Sequence, residues 1–197
     1  MVLDILLLMG GWEVAGLLDD DRALWGSLVG GASVLGGTDR IDGLAAEGVT
    51  HAAFAVGSNR ARETLLQRAV AAGVAPINAL HPAATIAAGV SLGVGIWMAA
   101  GAVVNPGAEL GDGVVINTGA TVDHDCVIGA YANISPGCHL SGRTRVGRYA
   151  FLGTGAVTIP DIVIGEDAVI GAGAVVIRDV PPGTTVVGVP ARPTSDR

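Results

Sequence analysis

Asp123-His124-Asp125 is the stretch of this chain best equipped for chemistry. An imidazole titrates near neutral pH, so it can take a proton and return it, and an adjacent carboxylate orients the ring and stabilises its charged form. The triplet therefore reads as a general base with an acidic partner. A lone histidine in a repetitive protein is more often a surface or turn residue, and the two flanking acids are what set His124 apart. His51, His81 and His139 read as structural. His124 and His139 are fifteen residues apart and fall on different faces of the repeat described next, and a third ligand is lacking, so no metal site is expected.

A repeat of six positions His124. From Ile86 to Val176 every sixth residue is Ile, Leu or Val at fourteen of sixteen positions, the exceptions being Met98 and Thr158, and the period never slips. Two places earlier the residue is small or β-branched throughout, as at Ala84, Ala102, Ala120, Cys126, Cys138 and Thr144. Gly or Asn often follows the large aliphatic, as at Gly93, Gly129 and Asn117. Each hexad then reads as a short strand plus a turn, with the aliphatic and the small residue pointing inward and Gly or Asn taking the φ > 0 turn position. Three hexads close one coil of a flat-sided parallel β-helix, and residues eighteen apart stack. Gly142 is thus expected one coil above His124, where a backbone N–H could meet a developing oxyanion. Cys126 and Cys138 fall in inward slots and read as buried filler. Arg143, Arg145 and Arg148 read equally well as phosphate contacts or as solvated turn residues.

Before the repeat, strands and helices alternate. Trp12–Leu18 and His51–Val56 read as strands ending at Asp19-Asp20-Asp21 and Gly57. Ser58 or Asn59 caps a helix through Ala72, with Arg60, Arg62, Glu63, Gln67 and Arg68 on the wet side and Leu65, Leu66, Ala69 and Val70 inward. This is a small Rossmann-like α/β domain over 1–80, followed by the β-helix over 81–180 and a tail over 181–197. The chain opens inside what reads as a buried first helix, Val2–Met9, so the α/β domain is expected to be truncated, lacking its first strand and the Gly-rich loop after it.

Composition narrows the partners. With a net charge of −7 over 197 residues and eleven Arg but no Lys, there is no diffuse basic field for nucleic acid or anionic lipid. The missing Lys also removes Schiff-base chemistry. The apolar opening carries Asp4 and lacks a basic flank, so it is not read as a targeting segment, no stretch suits a bilayer, and two cysteines without a framework suit the cytoplasm. Gly at 31 positions and only 4% aromatics fit a tightly wound coil, whose flat apolar faces imply self-association.

The hexads are the signature of the left-handed β-helix of hexapeptide-repeat acyltransferases. Together with Val14–Asp20, Phe54–Asn59, Asn117-Thr118, Val122–Gly129 and the tail Val187–Arg192, the chain resembles sugar O- and N-acetyltransferases of the sialic-acid O-acetyltransferase type, including those acting on UDP-4-amino sugars. The resemblance implies a homotrimer with sites between neighbouring prisms, acetyl-CoA as cosubstrate and no metal. It implies His124 as general base for an amine or hydroxyl attacking the thioester, Asp125 raising its basicity and Gly142 as oxyanion donor. It further implies Asn133, Thr154 and Ala172 at acetyl-CoA, and Asp19, Asp20 and Gly57 at the sugar nucleotide; Asn133 stands where some relatives have His. The expected activity is N-acetylation of a UDP-amino-sugar. The alternatives are O-acetylation of sialic acid or another glycan precursor, and a non-catalytic scaffold or sugar-nucleotide-binding subunit.

Overall fold

A computed structural model describes residues 1–194, so the last three residues of the expected tail, 195–197, lie outside the described residues. The hexads do what their spacing requires. Two-residue strands stack in parallel every eighteen residues in three rows. The first face runs Thr85, Val103, Thr121, His139, Val157, Val175. The second runs Ser91, Glu109, Val127, Arg145, Val163. The third runs Ala79, Trp97, Val115, Asn133, Phe151, Val169. The residue after each of these points inward, and the interior is a single column of buried Ile, Leu, Val, Ala and Cys. Burial of each large aliphatic stabilises the coil by about 1.5–3 kcal/mol relative to exposure, which is why so few aromatics suffice. Past Val176 the coil tightens: Val169 pairs with Thr185, and the chain folds back antiparallel at Val186 and Pro193.

The turn glycines are placed differently from expectation. The left-handed conformation falls three residues after each aliphatic, at Gly89, Gly107, Asp125, Arg143 and Asp161 on the first corner, between the first and second faces. On the second corner it falls at Gly95, Gly113, Tyr131, Tyr149 and Asp167, and on the third at glycine in every coil from Gly101 to Gly173. The glycine directly after the aliphatic has another cause, close approach between coils: a Cβ on Gly129 would stand 2.6 Å from the Arg148 nitrogen.

The first 80 residues pack on the outside of this prism. Helix α1 (Val2–Met9) lays Val2 and Ile5 against Ala79, Trp97 and Val115 of the third face. It is buried on one side only, since Leu7 and Leu8 are exposed. The expected strands are shorter than read. Leu17–Leu18 pairs with Ala32–Gly36, which also pairs antiparallel with Leu28–Val29; His51–Ala52 pairs only with Ala75–Pro76. The α/β region therefore holds two small sheets, and with a ladder partner on one side only, Trp12–Gly16 and Ala53–Val56 run without strand pairing. A short helix α2 (Ile41–Ala46) leads to α3 (Asn59–Ala71), where Ser58 Oγ accepts the Ala61 N–H at 3.4 Å as the cap.

Helix α3 corrects the expected wet face. Arg62 is completely buried while Val70 is exposed. The Arg62 guanidinium donates to the carbonyls of Gly113 (2.7 Å), Tyr131 (2.8 Å) and Val56 (2.8 Å) and to Asn59 Oδ1 (2.9 Å). Burial pulls it down to about 10, so it stays charged at neutral pH, and no carboxylate among the described residues pairs with it. Glu63 also turns toward the prism, accepting from Arg148 and the Tyr149 hydroxyl. Arg148 lies over both tyrosine rings, and Arg60 covers Tyr149 while bonding Asp167 at 2.6 Å. A helix period cannot reveal this, because the second corner is polar and demands polar partners. The signal available in the sequence was that Tyr131 and Tyr149, its only two tyrosines, fill turn slots eighteen apart that elsewhere often hold Gly.

Arg62 therefore joins α3 and the Val56–Gly57 loop to the coil. Arg62→Ala is expected to cost about 3–5 kcal/mol in urea denaturation, because several buried carbonyls lose their donor together. Arg62→Lys should recover little of it, since one ammonium cannot reproduce the planar fork. A cost below about 1 kcal/mol for Arg62→Ala would exclude this role.

Candidate active site

The first corner carries the Asp-His-Asp triplet outward at one level of the coil. Asp125 takes the left-handed turn slot at φ 58, a conformation that Asp adopts more readily than most residues. This conformation folds its carboxylate back over Gly107, where any side chain one coil below would meet it. Asp125 Oδ2 lies 2.8 Å from His124 Nδ1. That bond fixes the neutral tautomer with the proton on Nδ1 and the lone pair on Nε2. Asp123 serves the backbone: its Oδ1 accepts the His124 N–H at 2.8 Å and the Asn105 amide at 3.0 Å. The His124 N–H, aided by Asn105, holds the Asp123 carboxyl below the usual range.

Directly above the ring stands Gly142. A Cβ there would be 2.6 Å from His124 Nε2 and 2.7 Å from Cε1, so the imidazole occupies the space a side chain would need. The Gly142 N–H has no hydrogen-bond acceptor among the described residues. Beyond it, Arg143 forks onto Asp161, with Nε to Oδ1 at 2.6 Å and Nη2 to Oδ2 at 2.8 Å. Each raises the charged character of the other: Asp161 is held below the usual carboxylate range and Arg143 above its ordinary value. Asp161 is therefore a neutralised charge near the imidazole, and Asp125 is left as its direct partner. Arg143 and Arg148 are both engaged within the chain, whereas Arg145 stands exposed on the second face.

The other expected residues are distributed around the prism. Thr154 and Ala172 stack one coil apart on the exposed third corner, across the first face from His124. Asn133 lies on the third face, only 8% exposed, with its Oδ1 unpaired among the described residues. Asp19, Asp20 and Gly57 are exposed in the α/β region, Asp19 and Asp20 directly after the Leu17–Leu18 strand and Gly57 just before α3. The acids of that run are already tied into their own loops. Asp19 accepts the Asp21 N–H and Asp20 accepts the Thr38 N–H at 2.7 Å, a bond that lowers the Asp20 carboxyl. Within one chain, then, His124, Asp125 and Gly142 come together, and the residues expected at acetyl-CoA and at the sugar do not join them.

Cys126 and Cys138 are buried, and burial pushes both thiols up, so they are inert packing. Among the described residues no group of three or more His, Cys, Asp or Glu side chains is placed to hold a metal ion. No helix among them is long and apolar enough to cross a membrane.

Residues 1–69 match the PglD N-terminal domain, and residues 107–142 and 143–178 match the bacterial transferase hexapeptide family of six repeats. Comparison with curated proteins gives no match. Among solved structures, the chain is similar to PerB from Caulobacter crescentus in complex with CoA and GDP-perosamine, at 39% identity over 98% of this chain and 91% of that one, TM-score 0.93. It is similar to the acetyltransferase domain of PglB from Neisseria gonorrhoeae in complex with acetyl coenzyme A, at 40% identity over 98% and 92%, TM-score 0.92. A variant of perosamine N-acetyltransferase from Caulobacter crescentus with one histidine replaced by asparagine, again with CoA and GDP-perosamine, matches at 38% identity over 99% and 91%, TM-score 0.94. The prism is thus a left-handed β-helix carrying a small α/β domain in front, and the chain belongs to the hexapeptide-repeat sugar N-acetyltransferases with a PglD N-terminal domain.

Proposed function

We propose that the protein transfers the acetyl group of acetyl-CoA to the amino group of a nucleotide-linked amino sugar, with His124 as general base. The observation that carries this is the first corner: Nδ1 bound to Asp125 at 2.8 Å, and Nε2, with no hydrogen-bond partner among the described residues, beneath Gly142. The amine nitrogen attacks the thioester carbon and its proton passes to Nε2. The carbonyl oxygen becomes an oxyanion that accepts the Gly142 N–H. Collapse of the tetrahedral species breaks the C–S bond, and the proton held on His124 goes to the departing CoA sulfur. A thiolate leaves readily, so the sequence needs no covalent enzyme intermediate.

Relatives named as N-acetyltransferases support the amine over the hydroxyl, and the complexes with CoA and acetyl coenzyme A support the cosubstrate. In this reading Asn133, Thr154 and Ala172 line acetyl-CoA, and Asp19, Asp20 and Gly57 face the nucleotide. The separation of His124 from Thr154 and Ala172 across the first face supports a homotrimer in which one prism's first corner meets its neighbour's third. The flat outward row of Val103, Thr121, His139, Val157 and Val175 between them, mostly β-branched, suits such packing. Reduced thiols and acetyl-CoA use suit the cytoplasm.

Thiol release from acetyl-CoA tests the reading. A panel of UDP- and GDP-linked 4-amino sugars, with their 4-hydroxy counterparts, should give turnover with amines only. Silence across the panel without acetyl-CoA binding, or preference for the hydroxyl sugars, would overturn it. The same preparation should sediment at three times the 19.5 kDa of the chain, and a stable monomer would remove the shared site.

A further inference from the structure

The interior of the prism is apolar except at one level. Thr144 is fully buried and Thr158 nearly so, in columns that carry Cys126 and Ile162 or Leu140 and Val176 in the adjoining coils. The two hydroxyls close a ring with Ser141. The Ser141 N–H donates to Thr158 Oγ1 at 3.0 Å, the two threonine oxygens are 3.0 Å apart, and Thr144 Oγ1 donates to the Ser141 carbonyl at 2.7 Å. The direction is forced by chemistry. A carbonyl only accepts, so the single Thr144 proton goes to it, and Thr158 must supply the proton between the hydroxyls. Cys126 Sγ adds a further donor to the same carbonyl at 3.3 Å.

This ring interrupts the ladder at one place. Along this corner the residue after the aliphatic donates its N–H to a carbonyl one coil above: Ala87 to Val104, Asn105 to Val122, Asp123 to Leu140, Ile159 to Val176. At Ser141 the N–H goes to the Thr158 hydroxyl instead, and Ser141 Oγ donates to the Thr158 carbonyl at 2.7 Å. These bonds pin Ser141 itself, and its carbonyl, held by Thr144 and Cys126, belongs to the peptide whose other end is the Gly142 N–H.

We infer that Thr144 and Thr158 are positioning residues that aim and strengthen the Gly142 N–H as oxyanion donor. The inference rests on the proposed role of Gly142. In a planar trans peptide the C=O and N–H point in opposite directions, so donors that hold the Ser141 oxygen inside the prism turn the Gly142 hydrogen outward. Gly142 itself stands directly above His124 Nε2 at this corner. Each donor on the oxygen also draws density from the nitrogen, making the N–H a better donor, and the dipole is fixed before substrate arrives.

Thr144→Val and Thr158→Val keep shape and delete the hydroxyls. The same inward columns hold the β-branched Val90 and Ile162, and Val104 and Val122, so the coil admits them. Each should lower kcat about 3- to 10-fold. The KM for acetyl-CoA and the pH dependence should not change, and Thr144→Ser should retain activity. Replacing the Gly142 amide by an ester, through incorporation of glycolic acid, removes the N–H, with some weakening of the Ser141 carbonyl as acceptor, and should lower kcat about 10²- to 10³-fold. In that background Thr144→Val should cost less than about twofold more, because its effect passes through the missing hydrogen. An ester variant as active as the parent would overturn the donor role itself. An impaired ester with a fully active Thr144→Val and Thr158→Val, or with additive losses, would overturn the positioning role alone. A rise in KM equal to the fall in kcat would do the same.

Discussion

His124→Ala is expected to reduce kcat by about 10²- to 10⁴-fold while acetyl-CoA binding stays within about twofold of the parent. The ring is 47% exposed and packs in no hydrophobic cluster, so its removal should leave the coil folded. What disappears is the Nε2 lone pair beneath Gly142, while Asp125 and Asp123 already bond the ring and its backbone. Asp125→Asn should cost less, since an amide can still meet Nδ1 but no longer stabilises the imidazolium. Stopped assays of thiol release and calorimetric titration of acetyl-CoA separate the two effects. Turnover within about tenfold of the parent in His124→Ala would remove the base from the mechanism.

The part of this site visible in the sequence is the part set by the repeat. Once residues eighteen apart stack, Asp123-His124-Asp125 and Gly142 must share a corner, and the pairing of Thr121 with His139 shows that they do. Thr158, one of two departures from the aliphatic column, was visible too, but its meaning was not. A hydroxyl in an inward slot becomes legible only when its partners, Ser141 and Thr144, are seen to replace a ladder bond. The turn rule misled because two different constraints, left-handed backbone and close approach of coils, both select Gly at neighbouring positions. Ahead of the coil, local patterns give less. The capping signal at Ser58 locates α3, yet which face of α3 is buried depends on the polar corner it meets, and so the helix period alone places Arg62 and Glu63 in solvent. Likewise Asn133 is buried by its surroundings on the third face, a fact no period encodes.

Gly142→Ala is the sharper test of the corner as a unit. Gly142 does not adopt the left-handed conformation, so alanine fits the backbone, and the smaller freedom of the unfolded chain offsets part of the cost of moving the ring, so the coil should stay folded. The N–H is retained. The new methyl would, however, stand 2.6 Å from His124 Nε2, and since the coil backbone is held by Arg143 N–H to His124 O at 2.9 Å, the ring must yield. Rotating it away breaks the 2.8 Å bond to Asp125 and carries Nε2 off the line of the incoming amine. A displacement of about 1 Å at a reacting atom costs on the order of 10²-fold, and a comparable fall in kcat is expected. The cause can be isolated by combining the change with His124→Ala. If the methyl acts by displacing the base, Gly142→Ala costs nothing further once the base is gone, and the double variant matches His124→Ala alone. If instead the double variant loses a second factor of about 10², the methyl obstructs the thioester or its oxyanion, and the contact with the ring is incidental. Either result assigns the space above Nε2, because the only thing changed there is one carbon.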